Sequence, residues 1–345
     1  MTALASAFHD QGIACGNLGS PFMARLCAML AEHWPATGIL AQTCARFDGD
    51  LGPAGVSLPL RIAGGLHAIV LQGHDPELNA LYPPHDPQDA AFRAGILAAL
   101  DRHGDTLSAW IDSPPQTNEI RRSAALIAGA HVATARTRLP IHLSELGASG
   151  GLNLMWDAYA LEIKGTRFGP DNAAVTFRPD WEGPLPPQAT PQIASRRGVD
   201  LRPQDPRNPK DLLRLQAFLW PDQPERLRMT RAAAAIASAQ VDAGDAIDWL
   251  EHRLACAPDH HLHLIQNTVA WQYFPAKAQA RGLELIETAG RAATVTRPLG
   301  WLQMETDGDV KALGGAALTL RLWPGDLTLT LGRADFHGRW IRWTG

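Results

Sequence analysis

The residues best suited to chemistry lie in one short stretch, residues 139–156, with the sequence LPIHLSELGASGGLNLMW. An apolar run ends near Glu145, and the five residues that follow Leu146 are all small. A strand that meets a helix through such a turn can leave backbone amides and the positive end of a helix dipole open to a polar or anionic group. The Glu145 carboxylate can accept hydrogen bonds from the same ligand. The stretch therefore predicts a ligand site at the end of a buried strand.

The dinucleotide-binding fingerprint GxGxxG is the first pattern to compare with this turn. It requires glycines at positions 147, 149 and 152, but the sequence has Ser149 and Leu152 at the last two. The second glycine of that pattern allows the pyrophosphate to approach the backbone. The sequence therefore disfavours a dinucleotide site.

The nucleophile elbow GxSxG is the second pattern, and it matches Gly147, Ser149 and Gly151 literally. Asp245 and His337 would complete a catalytic triad with Ser149 in the chain order of the α/β-hydrolases. The hydrolase fold, however, places several strands before its elbow, and the preceding 138 residues have mainly helical patterns. No HGGG-like oxyanion segment precedes the turn, so a serine hydrolase remains an alternative without its usual context.

The turn also resembles the acid-x-Gly-x-small-x-Gly turn of adenosylmethionine-dependent methyltransferases. The resemblance lies in Glu145, Gly147, Ser149 and Gly151, with serine in place of the middle glycine. It implies that Asp200, which ends the strand GVDL, binds ribose hydroxyls. The physical chemistry agrees, because a cationic sulfonium ligand with ribose hydroxyls favours carboxylates over a basic phosphate clamp.

Later segments resemble the same fold in order. The resemblance implies that Asp245 in GDA lies near the adenine amine and that LHLIQNTVAW faces the methyl donor. The cofactor-binding residues that it implies are Glu145, Gly147, Ala148, Ser149, Gly151, Asn153, Asp200, Asp245, Ala246, Gln266 and Asn267. Two departures are the 48 residues between Gly151 and Asp200, where about 20 are usual, and the lack of an Asn-Pro-Pro-Tyr signature. We therefore expect an insertion at about residues 158–195.

The segment SPPQTNE, residues 113–119, is open to two interpretations. Ser113, Pro114 and Gln116 fit a capping box at a helix start. The crowding of polar side chains after them instead favours a surface that covers a substrate. The substrate or lid residues on this second interpretation are Gln116, Asn118, Glu119 and Arg121.

The whole chain resembles one bacterial family, known as domain of unknown function 2332. The motifs SPPQTNE, ELGASGGLNL, GVDLRPQD, FLWPDQPERL and HGRWIRW show the resemblance over nearly the full length. The resemblance implies a methyltransferase-like Rossmann domain behind a helical domain, with no established reaction.

The elements around the turn predict an α/β protein. Residues 1–135 have mainly helical patterns and form a helical domain, a possible lid, with helices starting at Ser20-Pro21 and near residues 60–71 and 89–103. Residues 136–345 alternate strands with helices. The predicted strands and helices of this second part are the short strands LEIKG and VTFRP, a strand in residues 197–205, a helix over 211–240 interrupted at Trp220-Pro221, a strand in 261–274, a helix over 275–281, the strand LELIE, and strands at 300–305, 317–322 and 327–331. This order predicts a doubly wound, Rossmann-like sheet of the methyltransferase type with an antiparallel C-terminal hairpin.

Composition narrows the partners. The chain has 345 residues, 46% of them apolar, with a net charge of -4, which disfavours a nucleic-acid surface. The four cysteines form no CxxC pair, which is typical of reduced thiols in the cytoplasm. The N-terminus lacks signal-peptide features, and the best apolar stretch, residues 62–71, is too short to span a bilayer. We expect a cytoplasmic protein without a membrane or nucleic-acid partner; the oligomeric state stays open.

Two further clusters have simpler structural explanations. Asp259, His260, His261 and His263 lack a third ligand at metal-binding spacing, so no metal is predicted. The segment WPDQPERLR, residues 220–228, fits a helix break with an anchored tryptophan and an Asp–Arg pair.

The leading hypothesis is therefore an S-adenosylmethionine-dependent methyltransferase that acts on a small molecule. Its catalytic residues are unassigned, with His142, Glu119 and Glu305 as guesses for a base. The alternatives are a non-catalytic ligand-binding protein on the same scaffold and a serine hydrolase with Ser149 as nucleophile.

Overall fold

The computed structural model describes residues 2–53, 55–308 and 314–345. Its α-helices, in chain order, are α1 (Ala3–Asn17), α2 (Pro21–His33), α3 (Ile39–Cys44), α4 (Leu58–Gln72), α5 (Pro76–Asn79), α6 (Asp89–Arg102), α7 (Gly104–Ile111), α8 (Ser123–Thr137), α9 (Pro209–Ala217), α10 (Pro224–Ala235), α11 (Ala246–Ala255) and α12 (Ala276–Ala292). Three short 3₁₀ helices span Ile120–Arg122, Leu152–Ala158 and Trp271–Tyr273.

The β-strands all follow α8 within the described residues. They are β1 (Ile141–Leu146), β2 (Ala160–Ile163), β3 (Thr166–Phe168), β4 (Thr176–Phe177), β5 (Asp180–Glu182), β6 (Ile193–Asp200), β7 (Gln240–Ala243), β8 (Leu262–Thr268), β9 (Leu299–Glu305), β10 (Ala316–Trp323), β11 (Leu327–Ala334) and β12 (Trp340–Trp343).

The chain divides into two compact units. A helical unit contains Met1–Thr117 and Asn208–Arg228, and a sheet unit contains Asn118–Arg207 and Met229–Gly345. The division differs from the predicted ranges in two places. Helix α8, within which the predicted boundary at residue 135 falls, belongs to the sheet unit, and residues 208–228 belong to the helical unit.

The helical unit forms around its own apolar core, as the N-terminal pattern predicted. Ser20 caps α2 by accepting a hydrogen bond from the Met23 amide at 3.2 Å, and Pro21 occupies the first turn. The predicted break at Trp220 is also confirmed, since α9 ends before it and α10 starts after it. Trp220 packs into the helical core, and Asp222 accepts hydrogen bonds from Ser20 Oγ at 2.6 Å and the Phe22 amide at 2.9 Å. The WPDQ segment is therefore structural within this unit.

A nine-stranded sheet organises the other unit, in the order β5-β12-β11-β10-β9-β8-β1-β6-β7. The strands β7, β6, β1, β8 and β9 run parallel. In chain order these five strands follow the arrangement 3-2-1-4-5, which is shared with the doubly wound Rossmann sheet. Strands β10 to β12 continue antiparallel. The mostly parallel sheet and the antiparallel C-terminal hairpin are thus confirmed.

The segment expected to be an insertion supplies its own small sheet, in the order β3-β2-β4, and the edge strand β5, which pairs with β12. Both faces of the large sheet are covered. Leu264 and Leu302 point into the core that contains α8, whereas Ile265 and Trp301 point into the core that contains residues of α11 and α12. A parallel sheet is normally buried on both faces in this way.

Three local predictions were wrong. LELIE lies inside α12, where Ile286 is buried and Gly282 packs against Trp271 and Ile247, so the helical repeat prevails. The capping-box interpretation of residues 113–119 fails because the segment is not helical, and each proline disfavours the helical conformation in the residue before it. The helix expected through residue 240 ends at Ala235, and the unpredicted strand β7 follows.

Candidate functional site

The polar residues predicted for the ligand site lie at the carboxyl edge of the parallel strands. Glu145 lies at the end of β1 and pairs across the sheet with Gln266 of β8. Asp200 ends β6, and its carbonyl accepts a hydrogen bond from the Gly244 amide at 3.0 Å, next to Asp245. The strand order reverses between β1 and β8, and open α/β sheets bind ligands at this switch point.

The glycine turn after β1 has left-handed backbone at three alternate residues. The φ angles are +70° at Gly147, +52° at Ser149 and +69° at Gly151. An added Cβ would lie 2.5 Å from Ala270 Cβ at Gly147 and 2.8 Å from Val241 Cγ2 at Gly151. Both glycines are therefore required by the backbone conformation and by close internal packing.

The turn does not offer bare amides, contrary to the sequence expectation. Asp200 Oδ2 accepts from the Ser149 amide at 2.9 Å, and Asn118 Oδ1 accepts from the Gly150 and Leu152 amides at 3.2 and 3.0 Å. The other three amides donate to main-chain carbonyls, Gly147 and Ala148 to Val199 at 3.0 Å and Gly151 to Ala148 at 2.8 Å.

The helix after the turn also differs from the expected α-helix. It is the seven-residue 3₁₀ helix Leu152–Ala158, interrupted by non-helical backbone at Met155. Such a short helix sums few aligned peptide dipoles. Together with the bound amides, it removes the predicted binding site for an anionic group.

Glu145 is the most perturbed acid at this edge. Its side chain is only 2% exposed. Its pKa is raised to about 8, chiefly by burial; the negative charge of Asp200 also raises it, while a hydrogen bond with Gln266 and the charge of Arg122 lower it. Glu145 Oε2 is buried without a hydrogen-bond partner among the described residues. A strongly shifted acid at a switch point is typical of a functional site.

Asp200 and Asp245 occupy different environments. Asp200 is half-buried, and its two oxygens accept from the Ser149 amide and, at 2.9 Å, from the Arg202 amide. A carboxylate has about four acceptor positions, so capacity remains. Asp245 is exposed and caps α11, with Oδ1 2.8 Å from the Ile247 amide. Its capping role alone explains its position. Ala246, another predicted cofactor residue, is the first residue of that helix.

The buried side-chain amides of Gln266 and Asn267 on β8, and of Asn153 after the turn, connect neighbouring elements through hydrogen bonds. Gln266 Oε1 accepts from Trp156 Nε1 at 3.1 Å, and Gln266 Nε2 donates to the Asn153 carbonyl at 3.3 Å. Asn153 Oδ1 accepts from Ser123 Oγ at 2.8 Å, which ties the turn to α8. Asn267 donates to Glu305 Oε1 at 2.8 Å. The predicted residues Asn153, Gln266 and Asn267 are thus held in place by structural hydrogen bonds.

The polar segment before α8 meets the turn mainly through Asn118. Glu119 is buried and its Oε1 accepts from the amide and Nε of Arg121 at 3.1 and 3.2 Å. Arg121 Nη2 is buried without a partner among the described residues. Gln116 belongs to the helical unit. Arg122, which the predicted set omits, donates to the carbonyls of Phe336 at 2.9 Å and Thr268 at 3.0 Å; its only sequence signal is the crowded polar segment.

The other two guesses for a base are also engaged. Glu305 fixes the segment after β8 by accepting from the amides of Ala270 and Trp271 at 2.8 and 3.1 Å. His142 Nδ1 lies 2.5 Å from Ser195 Oγ, and burial lowers the pKa of His142 to about 4. These contacts give Glu305 and His142 structural roles.

The serine-hydrolase alternative gains little from the geometry. No strand precedes β1 in residues 2–53 and 55–140, so the serine at the turn lacks the upstream strands of a hydrolase elbow. Among the described residues, no group of three or more His, Cys, Asp or Glu side chains is arranged to hold a metal ion. His263 instead lies buried in β8 with Nε2 2.9 Å from Ser144 Oγ.

Within the part of the chain that the structure describes, no helix has both the length and the apolar character needed to cross a membrane.

Comparison with known proteins identifies the family of the chain. No curated protein and no solved structure matches the chain. The model of the family described as "Uncharacterized protein conserved in bacteria (DUF2332)" matches residues 5–343, so the chain belongs to this family, as its motifs indicated.

Proposed function

We propose that this chain is an S-adenosylmethionine-dependent methyltransferase that acts on a small molecule. The observation on which the proposal depends is Glu145, a buried acid beside the switch point whose Oε2 lacks a hydrogen-bond partner among the described residues. A buried polar atom without a partner is costly unless a ligand completes its hydrogen bonding.

The groups at this edge favour one ligand chemistry. The amides of the turn are already bound by Asn118, Asp200 and main-chain carbonyls, so a phosphate or pyrophosphate would find few donors. Two carboxyl groups, Glu145 and Asp200, lie at the ends of β1 and β6. Carboxylates attract a cationic group and accept from hydroxyl groups. A nucleoside with a sulfonium centre has both features, so the residues fit it.

The proposed roles follow from the position of each side chain. Asp200 would accept hydrogen bonds from the ribose hydroxyls with its remaining acceptor positions. Asp245, at the end of the neighbouring strand, would lie near the adenine amine. Glu145 would face the charged part of the donor, and ionisation of its carboxyl group would compensate the positive charge. The donor supplies a methyl group for in-line displacement, for which positioning and exclusion of water are the main requirements.

A ligand-binding protein without catalysis is the second candidate, and one observation favours it. Glu305 and His142 are each engaged in structural contacts. A scaffold of this type does not by itself imply a reaction.

Calorimetry with S-adenosylmethionine and its demethylated product, S-adenosylhomocysteine, tests the proposal. NAD serves as the comparison ligand, because it shares the adenosine but carries a pyrophosphate. We expect saturable binding of S-adenosylmethionine and S-adenosylhomocysteine, and at least ten-fold weaker binding of NAD. Asp200→Ala should weaken binding at least ten-fold, whereas Glu284→Gln on the exposed face of α12 should not change it.

Proton release on ligand binding provides a second measurement in the same titration. At pH 7 most Glu145 carboxyl groups are protonated, and a cationic ligand should displace that proton. Binding enthalpies of S-adenosylmethionine measured in two buffers of different ionisation enthalpy should show that nearly one proton is released. This proton release should be absent in Glu145→Gln.

The proposal is wrong if neither S-adenosylmethionine nor S-adenosylhomocysteine binds. Binding without methylation of any acceptor would favour the second candidate, and labelling of Ser149 by a fluorophosphonate would favour the hydrolase.

A further inference from the structure

A cleft in the sheet unit lies where α8 ends and β1 begins, at the end of β1 opposite to Glu145. Its volume is about 480 Å³, and its walls come from residues 134–140 and 188–192. Neither Glu145 nor Asp200 lines it. Small-molecule sites commonly have volumes of about 300–1,000 Å³, so the cleft is large enough for a ligand of its own.

Main-chain hydrogen bonds hold the two walls of the cleft in place. The Gln192 carbonyl accepts from the Ile141 amide at 2.7 Å, which joins residues 188–192 to the start of β1. His131 Nδ1 accepts from the Ala189 amide at 3.2 Å, which joins the same segment to α8. The cleft is therefore preformed, and a ligand need not order its walls on binding.

Arg138 supplies the charge of the lining from an unusual backbone position. It follows the last residue of α8 with a φ angle of +56°, and its amide donates to the Thr134 carbonyl at 2.8 Å. Glycine is the usual residue at such a left-handed helix end, and other residues are strained there. The Arg138 guanidinium group is exposed and has no hydrogen-bond or ion-pair partner among the described residues. No Asp or Glu of the described residues lines the cleft, so its charge is an unpaired cation.

Thr134 brings a hydroxyl group that the protein leaves unsatisfied. Its Oγ1 is buried without a hydrogen-bond partner among the described residues, and the residue lines the cleft. A helical threonine commonly donates to the carbonyl four residues before it, as Thr137 does to Ala133 at 3.0 Å. A buried polar group without a partner is costly, so a polar ligand group that reaches Thr134 would remove this cost.

The other polar side chains of the lining are Gln188, Thr190 and Gln192. All three are exposed, and their side chains make no hydrogen bond with the described residues. Amide and hydroxyl groups both donate and accept, so they match the hydroxyl groups of a ligand. Arg138 only donates, in a fork that matches a carboxylate.

The number of negative charges on the ligand is limited by α8. The helix ends at Thr137, beside the cleft, so the negative end of its dipole lies there. This end opposes negative charge, and Arg138 compensates for one such charge. A single carboxylate is therefore favoured over a doubly charged phosphate.

We propose that this cleft binds a polyhydroxylated molecule with one carboxylate, of the sugar-acid class. Arg138 would pair with the carboxylate, and Thr134 and the side chains of residues 188–192 would bind the hydroxyl groups. The cationic methyl donor proposed above does not fit an unpaired arginine. The cleft is thus a second site, and its occupation does not depend on the reaction at the switch point.

Calorimetry on the full chain at pH 7 tests the proposal with D-gluconate as the probe. Sorbitol shares the hydroxyl groups but has no charge, and glucose 6-phosphate carries a second negative charge. We expect saturable binding of gluconate and at least ten-fold weaker binding of the other two compounds.

Arg138→Gly removes the cation without harming the fold, because glycine suits the left-handed backbone. It should leave stability in urea unchanged or higher and weaken gluconate binding at least ten-fold. Lys164→Gly is the matched control, since Lys164 is an exposed cation with a φ angle of +48° outside the cleft. It should not change gluconate binding.

Thr134→Val keeps the shape of the side chain and removes its unsatisfied hydroxyl group. The free chain should become more stable in urea, while gluconate should bind more weakly. Thr137→Val, which removes a hydroxyl group outside the cleft, should leave gluconate binding unchanged. The proposal is overturned if gluconate does not bind saturably, if sorbitol binds equally well, or if Arg138→Gly or Thr134→Val leaves the affinity for gluconate unchanged.

Discussion

Replacing Glu145 by glutamine should remove a pH dependence of stability that the native chain has. The folded carboxyl group has a pKa of about 8, whereas the ordinary value is 4.5. Between these pH values the folded chain keeps a proton that the unfolded chain has lost. Unfolding therefore releases a proton, and the free energy of unfolding decreases as the pH rises through this window.

The magnitude follows from the same pKa. Each pH unit inside the window lowers the free energy of unfolding by about 1.4 kcal/mol. The full loss between pH 4.5 and pH 8 is therefore about 5 kcal/mol. Glutamine keeps the shape of the side chain and its hydrogen bonding to Gln266, but it cannot ionise. The stability of Glu145→Gln relative to the native chain should thus increase by about 4 kcal/mol from pH 5 to pH 9, because part of the window lies below pH 5.

Urea unfolding across this pH range measures the difference, with Glu284→Gln as the control for the loss of one surface charge. Infrared spectroscopy provides a direct check, because a protonated carboxyl group has a carbonyl stretch that a carboxylate lacks. The native chain should show this band at pH 7, and Glu145→Gln should lose it. Equal pH slopes in the native chain and Glu145→Gln, or the absence of the band, would refute the reasoning.

Three further predictions follow from local geometry. Asn118→Ala leaves two buried amides without their acceptor and should cost about 2–4 kcal/mol in urea unfolding, whereas Asn118→Asp keeps the acceptor and should cost less. Cys256 is the exposed thiol and the other three are buried, so a thiol reagent should label one cysteine in the native chain and four after unfolding. Gly338→Ala should cost more than Gly165→Ala by at least about 1 kcal/mol. Both have positive φ, but only at Gly338 does a Cβ meet a neighbour, the Arg121 carbonyl oxygen at 2.6 Å; equal losses would contradict this reasoning.

The sequence predicted elements whose pattern is local. Leu264 and Ile265 alternate between two cores, and Ser20-Pro21 gives α2 a cap that needs no distant partner. The strand QVDA was missed, because an edge strand of four residues with no fully buried member has no apolar alternation. LELIE was assigned to the wrong element, because a short apolar run fits a strand and a helix equally well until the packing of Gly282 against Trp271 decides.

The candidate site was predictable at the level of position but not of hydrogen bonding. Parallel strands gather their carboxyl ends, so Glu145, Asp200 and Gln266 were expected at one edge and lie there. The acceptors that occupy the turn amides come from residues distant in sequence: Asn118 lies about 30 residues before the turn, and Asp200 about 50 residues after it. No local pattern identifies such partners.

The bound amides change which residues determine the ligand. Glycine turns of this type serve pyrophosphate, acyl and adenosyl ligands, and the turn sequence alone does not separate them. Where the amides are open, the backbone selects an anion. Here Asn118 and Asp200 accept from those amides, so side chains at the strand ends must select the ligand instead. The most exceptional of these is Glu145, because it can exchange a proton for a positive charge without any change in backbone structure. Selectivity at this edge should therefore follow the ionisation of Glu145: a cationic ligand should bind more tightly as the pH rises towards 8, and a neutral analogue that keeps the adenosine should not.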